Sequence, residues 1–184
     1  MKQFFLKSGL PAFLWAILAG AFPMKSFALD FFVVLDAIQT DTRIASVDFN
    51  PTLSRLGAGL FFLPGVALEV QGSFSSSPDH IESLGVGSEL EALEIVSFRF
   101  QSPYDVGYSA FVKLGQAQFD LLAYDATKSV SVFQEQLSSG YFAVGLQKQV
   151  NLWPSLGYSL SYEQLYRDEK VKIRGLSFGY SYLF

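Results

Sequence analysis

The chain offers one imidazole, His80, and no thiol. His80 follows Asp79 in a stretch that also holds Ser75, Ser76, Ser77 and Ser83, the residue types of a nucleophile, a base and an orienting acid. Nearness in sequence does not aim a base at a nucleophile, so an exposed loop histidine is the simpler reading. One histidine and no cysteine exclude multi-histidine and thiolate metal sites, disulfide frameworks and cysteine nucleophiles together. Pro51 blocks the sequon at Asn50-Pro51-Thr52, and neither a phosphate-binding glycine loop nor a calcium loop occurs. No residue is assigned to catalysis, to a cofactor or to a metal.

The remaining candidates are charges set inside alternating runs. Asp36, Arg55, Glu69, Arg99, Lys113 and Glu163 all fall on the face opposite the bulky apolar side chains, three of each sign. Enclosed charges are costly alone, and carboxylates hydrogen-bonded to Arg or Lys avoid that cost, so mutual neutralisation in a structural plug is the economical reading. A gated polar pathway through a narrow pore is the functional alternative.

The elements that carry these charges have period two. Leu176, Phe178, Tyr180, Tyr182 and Phe184 alternate with Ser177, Gly179, Ser181 and Leu183, and Leu156, Tyr158, Leu160 and Tyr162 alternate with small or polar residues in the same way. Proline-containing turns are expected at Leu63-Pro64-Gly65, Ser102-Pro103-Tyr104-Asp105 and Trp153-Pro154-Ser155. Longer polar segments, near 39–52, 75–89, 125–139 and 167–170, are expected as loops between them. This spacing predicts eight strands near 30–38, 53–63, 66–74, 90–101, 107–122, 140–151, 155–166 and 171–184. Val130, Val132 and Phe133 are able to extend the fifth and sixth strands. Glu94, Gln116 and Gln118 continue outward apolar registers and require a bulge or a rim position.

Residues 1–28 read as a cleavable secretory leader, with Lys2 and Lys7, an apolar run from Leu10 to Phe22, and Ser26-Phe27-Ala28 before the cut. That run holds 13 residues, short of the roughly 20 a spanning helix needs. Residues 29–184 then form one domain with ten basic and seventeen acidic groups, a formal charge of −7, the wrong sign for a general nucleic-acid binder.

Aromatic residues make up 16% of the chain, with 19 Phe, 9 Tyr and 2 Trp. About eight strands enclose little room, so turning every aromatic face inward would overfill the lumen. Turning those faces toward lipid resolves the packing, and closure satisfies the backbone groups that hydrocarbon cannot. An all-β, eight-stranded antiparallel up-and-down transmembrane β-barrel follows, with short turns on one side, longer loops on the other and both ends in the periplasm.

The segments Leu53 to Phe74, Phe111 to Phe119 and Tyr141 to Asp168, together with the terminal GLSFGYSYLF, resemble the small outer-membrane β-barrel family that includes the OmpA transmembrane domain and OmpX-like proteins. No peptidoglycan-binding domain follows the barrel, so that activity is not implied. The resemblance implies a C-terminal assembly signal at Tyr180, Tyr182 and Phe184, read by the barrel assembly machinery. It also implies the outer membrane of a Gram-negative cell envelope as location, outer-membrane lipid as surroundings and an extracellular partner through the loops. Lipid-modifying barrels of this kind pair histidine and serine on a strand, whereas the predicted strands hold no histidine. The expected role is structural or surface interaction around a polar, largely occluded interior without cofactor; a narrow porin-like channel or a lipid-modifying enzyme is the alternative.

Overall fold

The computed structural model describes residues 29–44, 47–81, 86–125, 130–168 and 171–184. The leader lies outside the described residues. Ten strands are present among them: β1 (Asp30–Ile44), β2 (Val47–Phe49), β3 (Thr52–Leu63), β4 (Val66–Ser77), β5 (Asp79–Ile81), β6 (Val86–Gln101), β7 (Tyr108–Asp125), β8 (Val130–Val150), β9 (Trp153–Arg167) and β10 (Val171–Leu183). The eight long ones pair antiparallel, each with its neighbour in sequence. β10 closes on β1 through thirteen residue pairs from Phe32↔Leu183 to Ile44↔Val171. Where the eight long strands pair on both sides, closure leaves no edge and their N–H and C=O groups find partners without water.

β2 and β5 are continuations rather than extra staves. Pro51 and Pro78 lack an N–H and interrupt the ladders, so that β2 leads into β3 along β1 and β5 follows β4 along β6. The carbonyl of Pro51 accepts from the N–H and the hydroxyl of Thr40, so the break stays attached to β1.

Three short turns join strands at one end. Pro64-Gly65 turns β3 into β4, with Gly65 at φ +74°, where a Cβ would collide with the Gln101 carbonyl. The second turn differs from the expected Ser102–Asp105: Asp105 pairs with Tyr108 across Val106 and Gly107, both at positive φ. Two successive positive φ values mark the turn that matches strand twist, so the hairpin tightens there and not at Pro103. The third also shifts. Val150 pairs with Trp153 across Asn151-Leu152, and Pro154 sits in an irregular, exposed start of β9, where its missing N–H breaks no ladder bond.

At the opposite end the strands run far beyond the predicted boundaries. β8 begins at Val130 and pairs with β7 up to Asp125, as the Val130–Phe133 segment allowed. Most of 39–52, 75–89 and 125–139, expected as polar loops, is strand instead. The reason is a reversal of alternation. Near the short turns β7 points Val112 and Leu114 out and Lys113 in; farther along it points Gln116 and Gln118 out and Ala117, Phe119 and Leu121 in. β10 switches between Leu176, exposed, and Ile173, buried, while Arg174 and Lys172 turn outward. β6 switches through a bulge between Glu91 and Glu94, where Ala92 has φ +48°. Glu94 pairs with Gln118 on the outer wall, so both the bulge and the rim position occur.

The apolar outer belt spans about seven residues per strand, as from Leu176 to Tyr182, which at ~3.3 Å per residue and ~40° of tilt is roughly 20 Å, near the band of a membrane barrel. Phe31, Leu35, Phe98, Leu146, Leu160 and Phe178 all stand exposed in it. A belt of this size, continuous around the barrel, requires an apolar solvent.

Candidate functional site

The lumen brings together the charges that the alternation enclosed. Alternation puts Asp36 of β1, Arg55 of β3, Glu69 of β4, Arg99 of β6, Lys113 of β7 and Glu163 of β9 on the inner face, and all six are buried. Arg55 is the hub of the first cluster. Its Nε donates to Asp36 Oδ1 at 2.6 Å, and its Nη1 and Nη2 donate to Glu163 Oε2 and Oε1 at 2.7 and 2.8 Å, a bidentate fork. Gln71 Nε2 donates to Asp36 Oδ2 at 2.9 Å; the hydroxyls of Tyr141 and Ser161 donate to Glu163 at 3.0 and 3.1 Å.

Glu69 is the centre of the second cluster. Lys113 Nζ donates to its Oε1 at 2.6 Å, and Arg99 Nη1 lies 3.7 Å from its Oε2. Arg99 Nη2 donates to Gln147, whose Nε2 donates to Ser181 Oγ at 2.8 Å. The Arg99 guanidinium also lies 4.2 Å from the centre of the Phe111 ring, whose face attracts a cation. The first cluster has one cation and two anions, the second two cations and one anion, so their excesses cancel. Lys113 lies within electrostatic reach of both Asp36 and Glu163, which joins the two.

These clusters form one of three layers. Toward the short turns a vestibule of about 590 Å³ opens outward, with Phe32, Phe61, Tyr104, Gln147 and Ser181 among its walls and Arg99 on its floor. On the other side of the charges lies a core of Ile38, Leu53, Leu93, Ile95, Phe119, Leu165, Ile173 and their neighbours, nearly all of it fully enclosed. The interior is therefore polar only in part: the expectation of a polar interior fails in the half beyond the outer belt. There the exterior faces water, so the apolar set turns in as it does in a soluble barrel.

Sequence reasoning missed this core because it took the small, polar face as the lumen along the whole of each strand; nearly all of these residues lie within the predicted strands, and only Leu137 falls in a segment read as a loop. It also missed Gln71, Tyr141 and Ser177 as partners of the charges, although their inward positions follow from the same alternation that places Glu69, Ala143 and Gly179.

His80 falls on β5, contrary to the expectation that no strand holds a histidine, because the chain resumes pairing after Pro78. Its backbone is paired with Gly87 and not with a serine; its side chain lies outside the described residues. Asp79 accepts from the Asn50 N–H at 2.7 Å, which holds the two proline breaks together. Among the described residues no group of three or more His, Asp or Glu side chains is placed to hold a metal ion.

No family model matches the chain, and no curated protein matches it either. Solved structures do. Neisserial surface protein A superposes with a TM-score of 0.64 at 13% identity, over 84% of this chain and 97% of that one. The attachment invasion locus protein Ail of Yersinia pestis, in complex with the heparin analogue sucrose octasulfate, gives 0.61 at 15%, over 86% and 100%. The N-terminal β-barrel domain of Pseudomonas aeruginosa OprF gives 0.56 at 16%, over 83% and 97%. The chain has the fold of the small outer-membrane β-barrels. At these identities the likeness is one of architecture, a closed, eight-stranded, antiparallel up-and-down barrel.

Proposed function

We propose that the chain, once freed of residues 1–28, is an integral outer-membrane barrel with a shut lumen that acts through its outer surface. The observation that carries this reading is the double seal. Any solute entering the vestibule meets a layer of mutually neutralising charges and then a packed apolar core. The β7–β8 hairpin, which extends well beyond the belt, is the part best placed to meet a partner. No nucleophile and base converge among the described residues, so no catalysis is assigned. Tyr180, Tyr182 and Phe184 serve as the assembly signal; removing Phe184 should lower the yield of folded barrel in the membrane fraction.

Detergent-dependent fractionation with a folded-versus-boiled gel shift tests the membrane placement, and planar-bilayer recording of the purified barrel tests the seal. Silent membranes are expected. Reproducible conductance whose ion selectivity changes in Lys113→Glu would establish the narrow channel instead, and release by osmotic shock without detergent would overturn the membrane reading.

A further inference from the structure

Every described cation that lies neither in the lumen nor at the short-turn end stands on one sector of the outer wall. Arg43 of β1, Arg167 of β9, and Lys172 and Arg174 of β10 share it. Cross-strand register brings them together: Arg43 opposes Lys172, Lys172 opposes Arg167, and Arg174 opposes Asp41. They line a cleft of about 270 Å³ with Tyr162, Gln164 and Tyr166. Two carboxylates hold its arginines, Asp41 within the cleft and Asp48 beside it. Asp41 holds Arg174 at 2.7 Å and Asp48 holds Arg43 at 2.5 Å; that hydrogen bond keeps the Asp48 carboxyl below its ordinary range. Lys172 and Arg167 are exposed and have no ion-pair or hydrogen-bond partner for their side chains among the described residues. Asp168 adds a carboxylate at the hairpin tip. The opposite wall carries Glu94 and Asp120 and no described cation, so the rim is polarised.

Height decides what such a sector meets. Arg174 is the first outward residue past Leu176, the last of the apolar belt on β10, and Lys172 is the second. Two and four residues of tilted strand place them roughly 5 and 10 Å beyond the hydrocarbon edge, the depth of a bilayer's headgroups. Guanidinium groups bind phosphate in a planar fork, lysine supplies a point charge, and an outward tyrosine such as Tyr162 suits the level where ring meets hydrocarbon and hydroxyl meets headgroup. We propose that the cleft between β1, β9 and β10 binds the phosphorylated sugar headgroup of an outer-leaflet glycolipid. The inference rests on the membrane reading above, and it goes further by fixing one wall sector and one lipid chemistry.

The test uses the full barrel in phosphatidylcholine nanodiscs doped with lipid A, either phosphorylated or enzymatically dephosphorylated. Lipid retained through detergent exchange is counted by mass spectrometry. The parent should retain the phosphorylated form at least several-fold more than the dephosphorylated one, and inorganic phosphate at millimolar concentration should not remove the difference. Arg167→Gln/Lys172→Gln, which breaks no intramolecular pair, should abolish that preference. Asp120→Asn on the opposite wall should leave it intact. Equal retention of both lipids, loss of the preference to inorganic phosphate, or a double variant that retains as the parent does would overturn the proposal while the membrane reading stands. A chain that fails to enter the nanodiscs would remove both.

Discussion

Replacing Arg55 by methionine, a side chain of similar length without charge, isolates what the first charge cluster contributes. Six hydrogen bonds reach the two carboxylates of that cluster, and Arg55 donates three of them; Gln71, Tyr141 and Ser161 supply the rest. The substitution leaves Asp36 and Glu163 enclosed with no cation beside them except the more distant Lys113. Breaking a buried pair in this way costs about 3–5 kcal/mol, far more than the net worth of the pair against an apolar replacement. With a slope of about 2 kcal/mol per molar urea, the unfolding midpoint should fall by roughly 2 M. Folding into lipid vesicles across a urea series, followed by the gel-mobility shift, reads this directly. The triple variant Asp36→Asn/Arg55→Met/Glu163→Gln removes the charges together and should recover most of the loss. A single variant within about 1 kcal/mol of the parent, or a triple variant worse than the single, would refute the account of the cluster as mutual neutralisation.

Two further outcomes follow from the solvent boundary and the turns. Val144→Arg, in the middle of the belt on β8, should cost about 2–4 kcal/mol, whereas Gln118→Arg, beyond the belt and opposite Glu94, should stay within about 0.5 kcal/mol. Urea midpoints in vesicles check both, and equal costs would contradict the boundary. Val106→Asn places a residue that tolerates positive φ where a β-branched one now stands, and should stabilise by about 1 kcal/mol in the same assay. Destabilisation there would mean that the turn holds Val106 by contacts and not in spite of its backbone.

Much of the fold was legible because alternation is a direct readout of which face meets which solvent. The belt on β9 and β10, from Leu156 to Tyr162 and from Leu176 to Tyr182, gives strand, direction and lining at once, and the six enclosed charges follow from the same count. Turn positions were less legible. Proline marks a place where the ladder can stop, but the tight turns formed at Val106-Gly107 and Asn151-Leu152, where pairing geometry ruled, and Pro103 and Pro154 were left in the flanks. The far half of the barrel was hidden for a different reason. Gln134, Gln136 and Ser138 read as a polar loop when the outward face is assumed apolar, although Leu137 between two of them is buried.

A chain that passes from lipid into water while remaining one continuous strand must exchange its apolar face, because the pleat cannot change sides and the solvent does. That requirement also accounts for where the charges lie. At belt level the outer face is already committed to Phe, Leu, Tyr and Val, so an apolar inner face would make each strand seven or more consecutive apolar residues. Such segments aggregate as open strands before closure gives them partners. Lining the lumen there with Asp36, Arg55, Glu69, Arg99, Lys113 and Glu163 breaks the run on six of the eight long strands, and small and polar residues such as Gln147, Ser177 and Ser181 break it on β8 and β10. The apolar seal is deferred to the half of the barrel where water covers the outside. The seal thus sits beyond the hydrocarbon edge and the neutralised charges at its level, an order that packing the lumen alone would not impose.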